Sequence, residues 1–205
     1  MIDIEKNWFL IKEELGTTKR EGIDKLIDYL ENKTDFKTTV ASTKFHLSES
    51  GGLAQHSLNV LKYTRLINKI LLLNYTEETM VLVSLLHDLC KVNYYVMGWE
   101  WDKEVKEATG KWVKKDVYKV EDQIPLGHGE KSVILAVRFI SLTTEEMLAI
   151  RHHMGFSDPG THFNYPLGLP FRESLNKYPM VKLLMIADQL AELEESNEKL
   201  EEKRA

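Results

Sequence analysis

Four ionisable residues lie in segments that are otherwise apolar, and their side chains are of the types that bind metal ions. Residues 80–90 have the composition of a buried helix, yet His87 and Asp88 lie within them. Asp188 interrupts a second apolar segment in the same way. His56 shares a face with the apolar residues of a third predicted helix. Two imidazoles and two carboxylates are therefore predicted to lie in the protein interior.

Each of these residues alone has an ordinary explanation. A single buried histidine is most often a hydrogen-bonded core residue, and a single buried aspartate is most often an internal cap or a salt-bridge partner. An unpaired buried carboxylate costs several kcal/mol of folding free energy. Four buried ionisable side chains together therefore indicate a shared partner more strongly than any one of them does alone. Together the four side chains can satisfy one another by sharing a divalent cation. Nitrogen and oxygen ligands suit Mn, Fe, Ni, Co or Zn, whereas imidazole disfavours Mg.

The order of these residues resembles the H…HD…D signature of the HD superfamily of metal-dependent phosphohydrolases. Residues 51–57 (GGLAQHS) are similar to the first motif of that family, and residues 86–91 (LHDLCK) are similar to its HDxxK motif. The resemblance covers residues 42–193. It implies an HD-type helical bundle with a metal on four residues, namely His56, His87, Asp88 and Asp188.

Three further histidines extend the resemblance to the two-metal branch of the superfamily, whose order is H…HD…H…HH…D. That branch includes cyclic-dinucleotide phosphodiesterases and the HD domains of bacterial 3′→5′ exoribonucleases. The resemblance implies that Asp88 bridges two metals and that His128 and one or both of His152 and His153 complete the second site. Alternatively, His128 is a loop residue, the paired histidines are surface residues at a helix end, and the site is mononuclear.

The resemblance also implies roles for residues near the ligands. Asp88 and Lys91 are expected to be catalytic. Lys91 follows Asp88 by three residues and could hold a phosphate oxygen or orient Asp88; a helix-terminal lysine favoured by the helix dipole is the alternative. Lys91 and Arg151 are candidate substrate-binding residues, although a surface position is the competing interpretation for Arg151. Phe163 and Tyr165 are further candidates because their proline-rich loop follows the paired histidines.

Two other features have competing interpretations. His46 precedes the first motif and is considered as a proton donor to a leaving group. Trp99, Trp101 and Trp112 could stack on a nucleobase or could pack an inserted hairpin onto the domain.

The function predicted first is hydrolysis of a phosphoester in a nucleotide, a cyclic (di)nucleotide or a short oligonucleotide by metal-activated hydroxide. The alternatives are an HD-type di-iron oxygenase, a mononuclear 5′-nucleotidase and a catalytically silent nucleotide-binding module. The net charge of −5 argues against a duplex nucleic-acid partner, and a small phosphorylated substrate is expected. A metal would supply the local positive charge that such a substrate needs.

The expected location is the cytoplasm. The chain has one cysteine, so an intramolecular disulfide is impossible. The N-terminal residues are acidic and lack the apolar stretch of a secretory signal, and the apolar runs are too short to cross a membrane.

The predicted fold class is all-α, with a β-hairpin inserted near residues 94–120 and a turn at Thr109-Gly110. One helix, with Thr76 as its N-cap, is expected from residue 77 to about residue 91, and Thr143 and Glu146 have the spacing of a capping box at the start of another. A proline-rich loop is expected over residues 155–177. Residues 1–41 are expected to form helices that pack on the domain. Residues 42–193 form the domain itself, and residues 194–205 are expected to be a solvated, charged helix end.

Overall fold

The computed structural model describes residues 2–43, 45–158 and 165–202, and over these residues the chain is mostly helical. One two-stranded antiparallel sheet accompanies the helices, which confirms the predicted secondary-structure class. The helices in chain order are α1 (Ile4–Thr17), α2 (Ile23–Asn32), α3 (Gly52–Leu71), α4 (Glu77–Leu86), α5 (Lys103–Thr109), α6 (His128–Val137), α7 (Thr144–His152), α8 (Tyr165–Lys177) and α9 (Pro179–Glu202). The strands are β1 (Tyr95–Trp101) and β2 (Lys114–Val120). No helix in the described part of the chain has the length and apolar character of a membrane span.

The hydrophobic core lies between α3, α4 and α9. Helix α3 packs against both α4 and α9, and α9 also contacts α7, which packs on α6. The facing side chains are fully buried, including Leu61 on α3, Leu85 on α4 and Leu184 on α9. Burial of one such side chain contributes about 1.5–3 kcal/mol. This packing fixes the relative positions of the helices that carry or adjoin the predicted metal ligands.

The predicted N-caps of α4 and α7 are confirmed. The Thr76 side chain accepts a hydrogen bond from the Thr79 backbone N–H at the start of α4. Thr143 and Glu146 form a capping box at the start of α7, in which each side chain accepts from the backbone N–H of the other. These caps satisfy N–H groups that a helix start leaves without partners.

The prediction that one helix runs from residue 77 to about residue 91 is wrong. Helix α4 ends at Leu86, and His87 and Asp88 form a turn before a single 3₁₀ turn, Leu89–Lys91. The backbone N–H of Cys90 donates to Ser132 Oγ on α6 instead of continuing the helix. A tertiary hydrogen bond therefore ends α4 at the point where the His-Asp pair must face the interior.

The inserted hairpin has the predicted strands but not the predicted turn. Strands β1 and β2 pair from Tyr95 opposite Val120 to Trp101 opposite Lys114. Helix α5 connects them, and Gly110 ends that helix with a φ of +76°, a value that glycine adopts without strain. Thr109-Gly110 is thus the end of a helix and not a hairpin turn. The prediction missed this short helix because the alternating pattern of the flanking strands does not reveal it.

The prediction of a loop over residues 155–177 is also wrong in its second half, because residues 165–177 form α8. Pro166 lies in the first turn of α8, where a missing N–H costs no helical hydrogen bond. Pro170 lies inside the helix. Phe163, a predicted substrate-binding residue, lies outside the described residues, as does the side chain of Tyr165.

Candidate metal centre

The four residues of the predicted first metal site meet in the interior. His56 lies on α3, the His87-Asp88 pair follows α4, and Asp188 lies on α9. His56 Nε2 lies 3.0 Å from Asp188 Oδ1 and 3.8 Å from Asp88 Oδ2. His87 Nε2 lies 3.4 Å from Asp88 Oδ2 and 3.8 Å from Asp188 Oδ1. One ligand atom from each of His56, His87 and Asp188 could contact a single cation.

His87 Nε2, at the middle of this group, is buried without a hydrogen-bond partner among the described residues, and Asp188 Oδ1, 3.8 Å away, makes its close contact with His56 Nε2 alone among the histidines of this group. His87 Nδ1 lies 2.7 Å from the Ser84 carbonyl oxygen and must donate to it, because a carbonyl can only accept. In the neutral ring, Nε2 then presents a lone pair toward Asp188. A buried acceptor without a donor costs about 1–3 kcal/mol, and a cation placed between these atoms would remove that cost. The donor set therefore fits a divalent metal.

A second group of possible ligands shares Asp88 with the first. His153 Nε2 lies 3.4 Å from Asp88 Oδ1, whereas His87 faces the other oxygen, Oδ2. His153 Nδ1 donates to the Ile150 carbonyl at 2.7 Å, so its Nε2 also points inward. The two oxygens of Asp88 thus face different histidines, which is the arrangement that a bridging carboxylate needs.

His128 lies at the first position of α6 and lines a cavity that also contains Asp88, His153 and Asp188 on its wall. A Cβ at Gly129 would lie 2.0 Å from the Arg151 carbonyl oxygen, so glycine is needed for α6 to approach the end of α7 this closely. Burial lowers the pKa of His128, which favours the neutral, metal-binding form. His128 Nδ1 is buried without a hydrogen-bond partner in the described part of the chain. Its position is compatible with the second metal.

The adjacent histidines of the HH pair diverge. His152 packs on Phe171, with ring centroids 5.3 Å apart, and it is not among the residues that line the cavity. Burial, aided by the charge of Arg151, lowers the pKa of His152 to about 4. The His153 side chain therefore lies among the candidate ligands, whereas the His152 side chain packs against α8.

Lys91 lies beside Asp88 as the sequence predicts. Its Nζ is 2.6 Å from Asp88 Oδ2, and its side chain is 13 % exposed and lines the cavity. Burial opposes the charge on both partners, but their attraction raises the pKa of Lys91 and holds that of Asp88 well below its usual value. The pKa of Asp188 is about 2, because the nearby histidines outweigh its burial. Both carboxylates are therefore ionised at neutral pH.

Arg151, the other predicted phosphate contact, is engaged elsewhere. Its guanidinium forms ion pairs with Glu130 at 2.5 Å and with Asp158 at 2.7 Å. It does not line the cavity that contains the metal-binding groups. The geometry therefore favours the competing interpretation of Arg151 as a residue of a surface ion-pair network.

The sequence reasoning missed Glu195, because this residue lies in the segment expected to be a solvated helix end. The Glu195 side chain is fully buried. It accepts hydrogen bonds from His46 Nδ1 at 2.5 Å, His56 Nδ1 at 3.1 Å and Asn59 Nδ2 at 2.8 Å. Burial would raise its pKa, but these donors lower it to about 2. The available signal was its spacing, since Glu195 follows Asp188 by seven residues, or two helical turns.

His56, His87 and His153 share one arrangement. In each ring Nδ1 faces an oxygen acceptor outside the cluster, and Nε2 faces the aspartates. Such acceptors fix the tautomer and the orientation of metal-binding histidines. The shared orientation distinguishes this cluster from histidines that merely pack in a core.

A cavity of about 470 Å³ opens onto the cluster, a volume typical of small-molecule sites. Its wall carries polar groups from the cluster, with Tyr95 from β1 and Phe45 from the segment before α3 also lining it. The residues on the wall that can contact a substrate or a metal are His46, Asp88, Lys91, His128, His153, Asp188 and Glu192.

Comparison with known proteins adds no assignment. No family model, no curated protein and no solved structure matches the chain. Any functional conclusion therefore depends on the residues and the geometry of the cluster itself.

Proposed function

We propose that this chain is a metal-dependent phosphohydrolase of the HD type, acting on a phosphoester of a nucleotide, a cyclic (di)nucleotide or a short oligonucleotide. The observation that carries the proposal is the inward orientation of the His56, His87 and His153 Nε2 atoms toward two ionised aspartates. The unpartnered His87 Nε2 atom, which lies 3.8 Å from Asp188 Oδ1, supports a cation between them.

Two metal ions are proposed rather than one. His56, His87, Asp88 and Asp188 would hold the first. Asp88 would be shared with a second ion held by His153 and His128, and the opposite directions of its two oxygens support this division. The mixed imidazole and carboxylate ligands favour Mn, Fe, Co, Ni or Zn over Mg.

The chemistry follows from the positions of these side chains. When bound, the metal ions would lower the pKa of a water molecule and neutralise the charge of a phosphate group. Lys91 holds Asp88 by an ion pair and reaches the cavity wall, so it can orient the carboxylate and attract a phosphate oxygen. His46 also lines the cavity, and its Nδ1 is fixed by Glu195. These residues would hold the reacting phosphate beside Asp88 and Lys91.

The test combines metal analysis with a substrate screen. The purified chain, loaded with Mn, Fe, Co, Ni or Zn in turn, is assayed on p-nitrophenyl phosphate and on bis(p-nitrophenyl) phosphate, and then on nucleotides. We expect Asp88→Asn to lose turnover and metal, because Asp88 contacts both groups of ligands. Asp28→Asn, the same change at an exposed position on α2, is the matched control.

Three outcomes would overturn the proposal. Full activity in Asp88→Asn would remove Asp88 from the site. Oxygen consumption by the iron form without phosphoester cleavage would support the oxygenase instead. One metal per chain with monoester activity alone would overturn the two-metal part of the proposal and indicate a mononuclear nucleotidase.

A further inference from the structure

The inserted hairpin presents a row of apolar side chains on one face, which are exposed apart from the half-buried Tyr95 at its start. Alternate residues of β1, namely Tyr95, Met97, Trp99 and Trp101, lie on the same side of the strand. Trp99 and Trp101 are 46 % and 48 % exposed, and their ring centroids are 5.5 Å apart. Trp112, which is 55 % exposed, lies 6.1 Å from Trp101 and extends the row. We call these five residues the aromatic row.

The aromatic row does not pack the hairpin onto the helices. Strands β1 and β2 make most of their contacts with each other. The three tryptophans are about half exposed, although burying one would remove more apolar surface from water than burying a leucine. Packing of the hairpin therefore does not explain these side chains.

The row begins at the candidate metal centre. Tyr95 lines the cavity together with Asp88 and Lys91. At about 3.3 Å per residue, the row extends roughly 20 Å from Tyr95 to Trp101. This distance exceeds the size of a single nucleotide, so the row could contact a chain of several units whose end lies in the cavity.

Lysine side chains lie among the rings. Lys114 Nζ is 4.1 Å from the centroid of Trp99, and Lys106 Nζ is 5.6 Å from that of Trp112. Asp116 is the acidic side chain of the paired strands on this face, whereas Glu100 lies on the opposite face. Residues 95–120 together carry a charge of +1, in contrast to −5 for the whole chain. The hairpin thus combines exposed rings with a small net positive charge.

We infer that the aromatic row binds a single-stranded oligonucleotide, which stacks about three bases on the rings and places its terminal phosphodiester in the metal cavity. Rings interleaved with cations are the features that bind single strands, because each unpaired base offers a face for stacking. A duplex hides those faces. The inference rests on the proposed phosphohydrolase function and selects the oligonucleotide from its substrate classes.

The test measures binding without turnover. Fluorescence anisotropy follows a dye-labelled hexathymidylate with phosphorothioate linkages, which resist cleavage, as the purified full chain is added. We expect binding to the single strand, and at least tenfold weaker binding to a stable, self-complementary hairpin duplex with the same linkages and label. Trp99→Ala and Trp101→Ala should each weaken single-strand binding about tenfold or more. Phe9→Ala, at a 59 % exposed aromatic residue on α1, is the matched control and should bind normally.

A lysine variant keeps the inference falsifiable if the tryptophan variants do not fold. Lys114→Gln should weaken binding and reduce its salt dependence by about 0.7 in the slope of log K against log salt, the value for one phosphate contact on a single strand. Unchanged binding in the folded tryptophan variants, or an unchanged slope in Lys114→Gln, would overturn the inference. A wild-type dimer that dissociates in Trp101→Ala and does not bind the oligonucleotide would instead assign the row to contact with a second copy. Oligonucleotide binding by a wild-type chain that hydrolyses no phosphoester in any metal form would refute the proposed function but not the binding by the aromatic row, so the two proposals fail separately.

Discussion

Replacement of Glu195 by glutamine tests whether a residue outside the ligand set controls metal binding. Glu195 is buried and accepts hydrogen bonds from His46, His56 and Asn59. Glutamine keeps the size of the side chain but removes its charge and replaces one acceptor oxygen with a donor. It cannot accept from both histidines and the asparagine at once. The His56 ring therefore loses the partner that keeps its Nδ1 protonated and its Nε2 directed toward the aspartates.

Two opposing effects decide the size of the change. Loss of a hydrogen-bond partner behind a metal-binding histidine weakens metal affinity about 10–100-fold, or about 1.4–2.7 kcal/mol at 1.36 kcal/mol per tenfold. Against this, burial lowers the pKa of His56, but its hydrogen bonds to Asp188 and Glu195 raise it to about 10, so a metal must displace a proton from the wild-type ring. Glutamine eases that displacement. Because a divalent cation at Nε2 carries twice the charge of a proton, the loss of attraction to Glu195 outweighs the gain.

The assay is calorimetric titration of Mn or Zn into metal-free protein at neutral pH, with circular dichroism to verify the fold. Glu194→Gln provides the control, because this neighbouring residue pairs with the exposed Lys62 instead of a histidine. We expect Glu195→Gln to raise the metal Kd at least tenfold and Glu194→Gln to leave it within twofold. Equal Kd values for the wild type and a folded Glu195→Gln variant would refute the positioning role of Glu195.

Three further predictions follow from other contacts. Arg20→Met should destabilise the fold by about 3 kcal/mol in urea denaturation, since it leaves the buried Glu146 carboxylate without its cation. Burial opposes ionisation of Glu146, but Arg20 lowers its pKa, so this stabilisation is present above the unfolded pKa and is lost as the pH falls through the folded one. His153→Ala should reduce the bound metal, whereas His152→Ala should not, as measured by elemental analysis. Metal affinity should rise up to about tenfold per pH unit around neutral pH, because the pKa of His56 is about 10 and binding releases its proton.

Controls and contrary outcomes accompany these predictions. Lys12→Met breaks an exposed ion pair with Glu31 and should cost less than about 1 kcal/mol. Equal losses of unfolding free energy in Arg20→Met and Lys12→Met would show that the Arg20–Glu146 contact does not stabilise the fold more than an exposed ion pair does. Metal loss in His152→Ala would mean that both paired histidines are ligands. A pH-independent metal Kd would contradict proton release from the histidines.

The sequence predicted well where local patterns decide the structure. Thr76 and Thr143 cap α4 and α7 as their spacing indicates, and His56 and Asp188 lie on the interior faces of α3 and α9. These features depend on helical periodicity and on hydrogen bonds within one turn. Such local patterns place most of the candidate ligands in the interior without any information on contacts between helices.

The sequence failed where a contact between distant residues decides the structure. Helix α4 ends because Ser132, forty-two residues after Cys90 in the chain, accepts a hydrogen bond from the Cys90 backbone N–H. His152 and His153 are adjacent, and it is the packing of Phe171 against His152 and the contact of His153 with Asp88 that decide which ring faces the candidate metal centre. In the sequence, Glu195 is one of several acidic residues in a charged segment, and nothing nearby distinguishes it as buried. In each case the partner lies in another element, and periodicity along one segment carries no information about it.

The most direct test of the central claim is anomalous X-ray diffraction from crystals of the chain grown with Mn or Zn. The account predicts one peak within about 2.0–2.2 Å of His56 Nε2, His87 Nε2 and an oxygen of Asp188. It predicts a second peak about 4 Å away, between Asp88 and His153. A metal-loaded crystal with no peak at these residues, or with its metal bound elsewhere, would contradict the account.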